Sequence, residues 1–395
     1  MNEHVSILVL SDLHAKTASS AAGSTDSHFT VGANARYDEN SPSLSFKRLI
    51  QTEKLKADYV VCCGDLCDQA DKEGFKVAWR FLHDVKKQLG AKDLIVTAGN
   101  HDVDSRGLGN PSPLDFLKSP ELKPRFPCNL SRGRFDRYWS RCFYTLEQGP
   151  VRFLVINTNA IHGVGEEHNW GRITDTTLNE IKSALKKSVP REINLCICHH
   201  HPHRHPEIPK DYDDIRGGQL FLDMLAKSGE APWIVIHGHK HHPRLGYAQG
   251  NSRSAAVFSA GSFSARLYPE LERLARNQFY LLKFPLSEIH RLRTTVATFQ
   301  SWTWFEGSGW ARSPIGSGLP AYGGIGYRDV VSLAARLQTF RTRKILRWED
   351  LVRLLPEILY LAPDDLEHFL YLVQVYGFRT VRNLDSNLPA QIVRA

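Results

Sequence analysis

Apolar and polar positions alternate along this chain in two rhythms. Short continuous apolar runs, VSILVL (5–10), DYVVCC (58–63), DLIVTA (93–98), RFLVINT (152–158), INLCIC (193–198) and WIVIH (233–237), read as buried strands. Between them lie stretches with apolar residues at helical spacing: SLSFKRLIQTEKLK (43–56) behind a serine cap, DKEGFKVAWRFLHDVKKQL (71–89), and TDTTLNEIKSALKKS (174–188) with Thr174 as cap. Strand–helix–strand alternation of this kind predicts right-handed crossovers and largely buried sheets. A polar Ser/Ala/Gly-rich stretch (16–43) and a Pro/Gly/Arg-rich stretch (103–140) read as loop and inserted surface segment. From Pro243 to about Thr298 the pattern is short strands with turns. A segment dense in Gly and aromatics follows (301–327), and helical periods return from Asp329. The expected organisation is a main domain over 1–298, a connecting segment over 299–328 and a helical C-terminal region over 329–395.

Composition narrows the class. No apolar run approaches the about 20 residues needed to cross a bilayer, and the N-terminal MNEHVSILVLSDLH has neither a basic start nor a small-residue cleavage site. The expectation is a cytoplasmic protein without membrane contact. Seven cysteines, an odd number, fit a reducing compartment. Cys62, Cys63, Cys67, Cys196 and Cys198 match no CxxC framework for zinc, which favours reduced structural thiols. Net charge is +8, and between Leu286 and Arg347 nine Lys/Arg face three acids, a balance open to a polyanionic partner or to ordinary solvation. Eighteen histidines are unusual, and they cluster.

The clusters sit where the strands end. Strand one runs into Ser11-Asp12-Leu13-His14, strand two into Gly64-Asp65-Leu66-Cys67-Asp68, and strand three into Gly99-Asn100-His101-Asp102. Two later strands end in His199-His200-His201-Pro202 and His237-Gly238-His239-Lys240-His241. Ligands of open α/β sheets collect at the carboxyl ends of strands, so these five loops are expected to converge. Each piece alone has a plain alternative, since Gly-Asn and Asp suit turns and Asp68 or Asp71 suits a helix cap. Together they suit divalent Mn, Fe or Zn held by carboxylates, imidazoles and one amide oxygen. One bridging Asp is able to hold two cations about 3.5–4 Å apart. Asp12 and His14, like His239 and His241, stand at i and i+2, which on extended backbone points both side chains one way.

These motifs, DxH, GDxxD, GNHD, HH and GHxH over residues 4–285, resemble the calcineurin-like metallophosphoesterase superfamily. The resemblance implies a four-layer fold of two β-sheets flanked by helices, here with a small, mainly helical C-terminal appendage. It implies two divalent metal ions, Mn first, Fe or Zn as alternatives. One is assigned to Asp12, His14, Asp65 and His241, the other to Asp65, Asn100, His200 and His239, with Asp65 bridging. The family ligand usually stands two places before the proline, which selects His200 and leaves His199 as the alternative. His101 matches the histidine that assists the leaving oxygen, with Asp102 expected to orient its ring. Ala98 replaces the proline common before GNHD, and Ser105 displaces Arg106 from a phosphate-binding pattern found in one subgroup.

The implied reaction is in-line attack of a metal-activated hydroxide on a phosphate ester. The favoured substrate is a phosphodiester of a nucleotide, cyclic nucleotide or nucleic acid. The alternatives are a phosphomonoester of a protein or small metabolite, and an effector role with the C-terminal helices (348–377) docking a protein partner. His203 and Arg204 follow the ligand loop and are candidates for the substrate mouth. Trp302, Trp304, Phe305, Trp310, Tyr322 and Tyr327, with Arg312 and Arg328, read either as base-stacking groups or as a packing collar.

Overall fold

The structure is a computed structural model and describes residues 3–17, 27–31, 40–104, 112–127, 131–162, 169–205, 207–208, 211–229, 231–340, 345–383 and 386–394. Ser105, Arg106 and the start of the basic run, 341–344, lie outside the described residues. Two six-strand sheet paths form the body. The first runs Gly309–Arg312, Ala297–Phe305, Gln278–Pro285, His4–Leu10, Tyr59–Cys62, Asp93–Val96, with Tyr322–Ile325 added beside Ala297–Phe305. The second runs Arg244–Tyr247, Ala256–Ser259, Trp233–His237, Ile193–Ile197, Val151–Ile156, Phe143–Gln148.

The three N-terminal strands pair in parallel, and so do the four central strands of the second sheet. Period-two burial explains how the sheets stack. Val151, Phe153, Val155, Ile193, Leu195, Ile197, Ile234 and Ile236 join the core shared with the first sheet. Their neighbours Leu154, Ile156, Cys196, Trp233 and Val235 face the opposite way, onto the helices Asp175–Lys186 and Gly218–Ala226. Both faces of each central strand are therefore apolar, as parallel sheets require.

The helices between strands start and stop on local signals. Ser41 caps Pro42–Thr52, Asp71 caps Lys72–Leu89 through the Gly74 N–H, and Thr174 caps Asp175–Lys186. Gly90, at φ 68°, closes the second of these in the left-handed conformation. Among the described residues, no helix is long and apolar enough to cross a membrane.

Two parts of the C-terminal third differ from expectation. Residues 299–328 supply strands to the first sheet rather than a connector, because Trp302 and Trp310 pack into the core against Phe279, Phe46 and Phe263. Trp302 stacks on Phe279 at 4.7 Å and carries the Arg312 guanidinium 3.8 Å over its ring. The region beyond 329 has its expected helices, Val330–Leu337, Trp348–Leu354 and Pro363–Val375, but also a three-stranded antiparallel sheet, Ile345–Arg347, Pro389–Arg394 and Phe378–Arg382. The short strands alternate too briefly to show a period in the sequence. The apolar stripes of these helices, including Leu333, Leu337, Leu351, Phe369 and Val373, pack on one another in a core of their own.

Glu357 joins this region to the body, with Arg291 at 2.9 Å and Arg336 at 3.2 Å on one carboxylate oxygen. Gly324 makes the closest approach. Its N–H bonds the Leu361 carbonyl at 2.9 Å, and a Cβ there would lie 2.3 Å from the Tyr360 carbonyl carbon. Gly324→Ala must push backbone from backbone, so we expect a loss of about 1–3 kcal/mol in urea unfolding; a midpoint unchanged from wild type would contradict this packing.

Candidate metal centre

The five predicted loops meet between the carboxyl ends of the two sheets. Asp12, His14, Asp65, His239 and His241 have φ of 52°, 47°, 51°, 76° and 54°. Side chains other than glycine rarely adopt this left-handed region, and its cost of order 1–3 kcal/mol concentrates at functional sites. Thus Asp12 and His14 reach a common cluster from left-handed turns, not from extended backbone as expected. The GHxH turn divides its histidines, His241 joining Asp12 and His14 while His239 joins His199 and His200.

Glycines make room for this crowding. A Cβ on Gly99 would lie 2.1 Å from Asp65 Oδ1, and one on Gly238 would lie 2.1 Å from Ser11 Oγ and 2.3 Å from Asp12 Oδ2. Backbone bonds tie the loops together: Asp12 N–H to Gly64 O at 3.0 Å, His14 N–H to Asp65 O at 2.9 Å, and Gly238 N–H to His199 O at 3.0 Å. Asp65 Oδ1 accepts the His101 N–H at 2.7 Å, and Asp12 Oδ1 accepts the His239 N–H at 3.1 Å.

Two sets of donor atoms result. In the first, His14 Nε2 lies 3.1 Å from His241 Nε2 and 3.5 Å from Asp65 Oδ2, with His241 Nε2 3.4 Å from Asp12 Oδ1. In the second, Asn100 Oδ1 lies 2.9 Å from His199 Nε2 and 3.1 Å from His239 Nδ1, and Asp65 Oδ2 lies 3.3 Å from His199 Nε2. Asp65 Oδ2 therefore stands beside both sets.

Among the consecutive histidines, His199 and His200 both stand in the cluster with His239, and His199 Nε2 also reaches Asn100 and Asp65. His199 directs Nδ1 to the Cys63 carbonyl at 2.8 Å, which leaves Nε2 toward Asn100 and Asp65. His200 spends Nδ1 on Thr158 Oγ1 at 2.8 Å, against Gly171, whose Cβ would lie 2.8 Å from its ring. Counting back from the proline selects His200, with His199 as the alternative, and the structure keeps both beside His239.

The expected partner of His101 also changes. Asp68 Oδ1 accepts from His101 Nδ1 at 2.8 Å and lies 3.5 Å from His14 Nδ1. Asp102 instead accepts the Leu66 and Cys67 N–H groups on Oδ1, at 2.7 and 3.0 Å, and the Gly99 N–H on Oδ2 at 2.9 Å. Its carboxylate staples the GDxxD loop to the GNHD loop. His203 and Arg204 do not line the cleft: Arg204 pairs with Asp214 at 3.4 Å and lies over Tyr212 at 4.9 Å.

Burial opposes every charge in this centre, and the neighbours decide the balance. For Asp65 the imidazoles of His199, His101 and His14 outweigh burial and hold the carboxyl well below its usual range. His199 is raised to about 9 because Asp65 and Asp12 outweigh burial. His239 and His200 go the other way, pushed far down by burial and by neighbouring imidazoles, so both are neutral. Asp102 rises to about 7 through burial and then the Asp65 charge, against the N–H bonds that favour its ionised form.

The donors fit cations. His14 Nε2 and His241 Nε2 approach within hydrogen-bond distance of each other beside two carboxylates, an arrangement a positive ion between them explains. The Nε2 atoms of His200 and His239 are buried with no hydrogen-bond partner. His199 places a carbonyl on one ring nitrogen and frees the other, as metal-ligating histidines do. Among the described residues no cysteine stands in these clusters, and burial pushes the thiols of Cys62, Cys63, Cys67 and Cys196 well up.

From this floor a cleft of about 800 Å³ opens to solvent. Its walls carry groups that sequence reading left out: His28, Lys240, Arg266, Tyr268 and Arg276. Of the aromatic series, Trp304 and Phe305 reach it. These residues come from distant segments, and no local spacing connects them.

Comparison with solved structures finds a purple acid phosphatase, PPD1, from yellow lupin (Lupinus luteus) seeds, at TM-score 0.48 and 14% identity, covering 84% of this chain and 55% of that one. It also finds PhoD, at TM-score 0.49 and 9% identity, covering 82% and 70%. The chain thus spans about half the length of the lupin protein. No curated protein matches the sequence. The family model described as calcineurin-like phosphoesterase matches residues 5–243, a span that runs from the first strand through all five of these loops. By that match the chain belongs to the calcineurin-like phosphoesterases, a family of hydrolases with dinuclear metal sites, and it carries His/Asp clusters able to hold metal ions.

Proposed function

We propose that this enzyme is a phosphodiesterase acting on a nucleotide or nucleic-acid substrate, and that Mn is its metal. The supporting observation is the open cleft above the donor sets, which has room for two arms and carries Trp304 and Phe305 on its walls. A phosphomonoester needs only the metal centre and one small leaving group. Mn suits a donor set of carboxylates, imidazoles and an amide oxygen without thiolate.

In this reading Asp12, His14, Asp65 and His241 hold one cation, and Asp65, Asn100, His199 and His239 the other. When bound, the cations lower the pKa of water and offset charge on the phosphate oxygens. His101 lines the cleft and, with Nδ1 engaged by Asp68, turns Nε2 toward the leaving oxygen to supply a proton there. Asp68 keeps that tautomer and orientation. Asp102 keeps the two loops in register and is not in the reaction path.

Three outcomes follow. His199→Ala should lower bound Mn from about two to about one per chain by elemental analysis, whereas His200→Ala should retain about two; the reverse pattern would restore His200 as the ligand. Asp68→Asn should reduce kcat about 10–100-fold with metal content kept, because it acts through His101. Asp102→Asn should instead lower the thermal midpoint, since it weakens a buried carboxylate serving three N–H groups. Equal effects of the two substitutions on kcat at constant stability would contradict this division of roles.

The reading as a whole is tested with Mn-loaded enzyme on bis-p-nitrophenyl phosphate and p-nitrophenyl phosphate. The diester should be cleaved with the higher kcat/KM, and Asp65→Asn should abolish both activities. Preference for the monoester would favour the phosphatase reading.

A further inference from the structure

One wall of the cleft carries two guanidinium groups that stand in no ion pair within the described residues. Arg266 and Arg276 both line it, and neither side chain makes an ion pair or a hydrogen bond within the described residues. Lys240, on the same cleft, is by contrast tied to Asp213 at 2.6 Å and Asp211 at 3.4 Å. The acids Glu272 and Glu306 share the wall but stand in no ion pair with either arginine. Charge on this wall is thus mixed, and a localised anion held by guanidinium geometry fits it better than a diffuse polyanion field.

The arginines are positioned, not merely exposed. Ser27 bridges Ala265, and the His28 N–H bonds the Ser264 carbonyl at 2.8 Å, which sets His28 beside Arg266. Asn277 Nδ2 bonds the Ala265 carbonyl at 2.9 Å, and the Trp304 N–H bonds the Asn277 carbonyl at 3.0 Å, which sets Arg276 and Trp304 on the same wall. His28 and Trp304 then meet with ring centroids 4.5 Å apart. Burial, and then the Arg266 charge, pushes His28 down to about 4, so its ring is neutral beside the indole. Two unpaired guanidinium groups next to an aromatic pair make a place for a phosphate with a base attached.

We propose that Arg266 and Arg276, flanked by His28 and Trp304, bind a second phosphate of the substrate, one removed from the reacting phosphorus. The preferred substrate is then an oligonucleotide-like diester with a neighbouring phosphate, and a diester with uncharged arms lacks that anchor. This rests on the phosphodiesterase reading above.

The test uses Mn-loaded full-length enzyme and three diesters: bis-p-nitrophenyl phosphate, thymidine 5′-(p-nitrophenyl phosphate), and the same thymidine ester carrying a 3′-phosphate. The added phosphate should lower KM about tenfold in wild type, the effect of about 1.4 kcal/mol of binding. Arg266→Ala and Arg276→Ala should each remove most of that gain and leave kcat/KM for bis-p-nitrophenyl phosphate unchanged. Both arginines are exposed, so folding should survive either change. Equal KM for the two thymidine esters, with bis-p-nitrophenyl phosphate still cleaved, would overturn the second-phosphate site and leave the phosphodiesterase reading standing. Cleavage of none of the three diesters would remove that reading, and this inference with it.

Discussion

The constraint on which this structure depends is the crowding of carboxylates and imidazoles in a buried space. Asp12, Asp65 and Asp68 are at most 3% exposed, and His14, His199 and His200 are no more so. Burying carboxylates costs several kcal/mol each unless charge and hydrogen bonds compensate. Here compensation comes from both. Imidazoles lower the carboxyl pKa values of Asp12 and Asp65, backbone N–H groups bond Asp12, Asp65 and Asp102, and the His/Asp clusters are able to hold metal ions. The architecture follows from that need. Only the carboxyl ends of parallel strands in two stacked sheets bring five loops so close, and only left-handed turns with glycine beside them let the loops interlock.

What could be read along the chain is what one segment determines by itself. Strands with apolar runs, helices with caps at Asp71 and Thr174, and chemistry-bearing residues at each strand end all depend on neighbours within a few positions. What could not be read depends on another segment. Whether His199 or His200 faces Asn100 is decided by Thr158 and Gly171, from a different strand and loop. Whether Asp68 or Asp102 meets His101 is decided by the N–H groups of Leu66 and Cys67, which claim Asp102.

The aromatic segment after residue 299 shows the same division. Tryptophans two apart share one face of a strand, as alternation predicts, yet their surroundings differ along that strand. Trp302 lies over Phe279 in the core, while Trp304, one pleat further on, meets His28 at the cleft. One face of one strand thus packs in the core at its middle and lines the cleft at its end. A spacing rule cannot tell these apart, because the difference is made by His28, from a distant segment, meeting Trp304.

The segment 262–264 ties the cleft wall to the floor of the site. Ser262 Oγ donates to the Asp12 carbonyl at 2.6 Å, Ser264 Oγ donates to the Leu13 carbonyl, and the Phe263 N–H bonds the Ser11 carbonyl at 2.8 Å. Two residues beyond Ser264 the chain reaches Arg266. The loop that carries Asp12 and His14 is therefore clamped by the segment that carries the wall arginine. Loops that hold metal in a strained conformation need such an external clamp, since their own backbone preference opposes it. Under the proposed anchoring of a second phosphate on that wall, three hydrogen bonds would relate the bound substrate to the loop that carries Asp12 and His14.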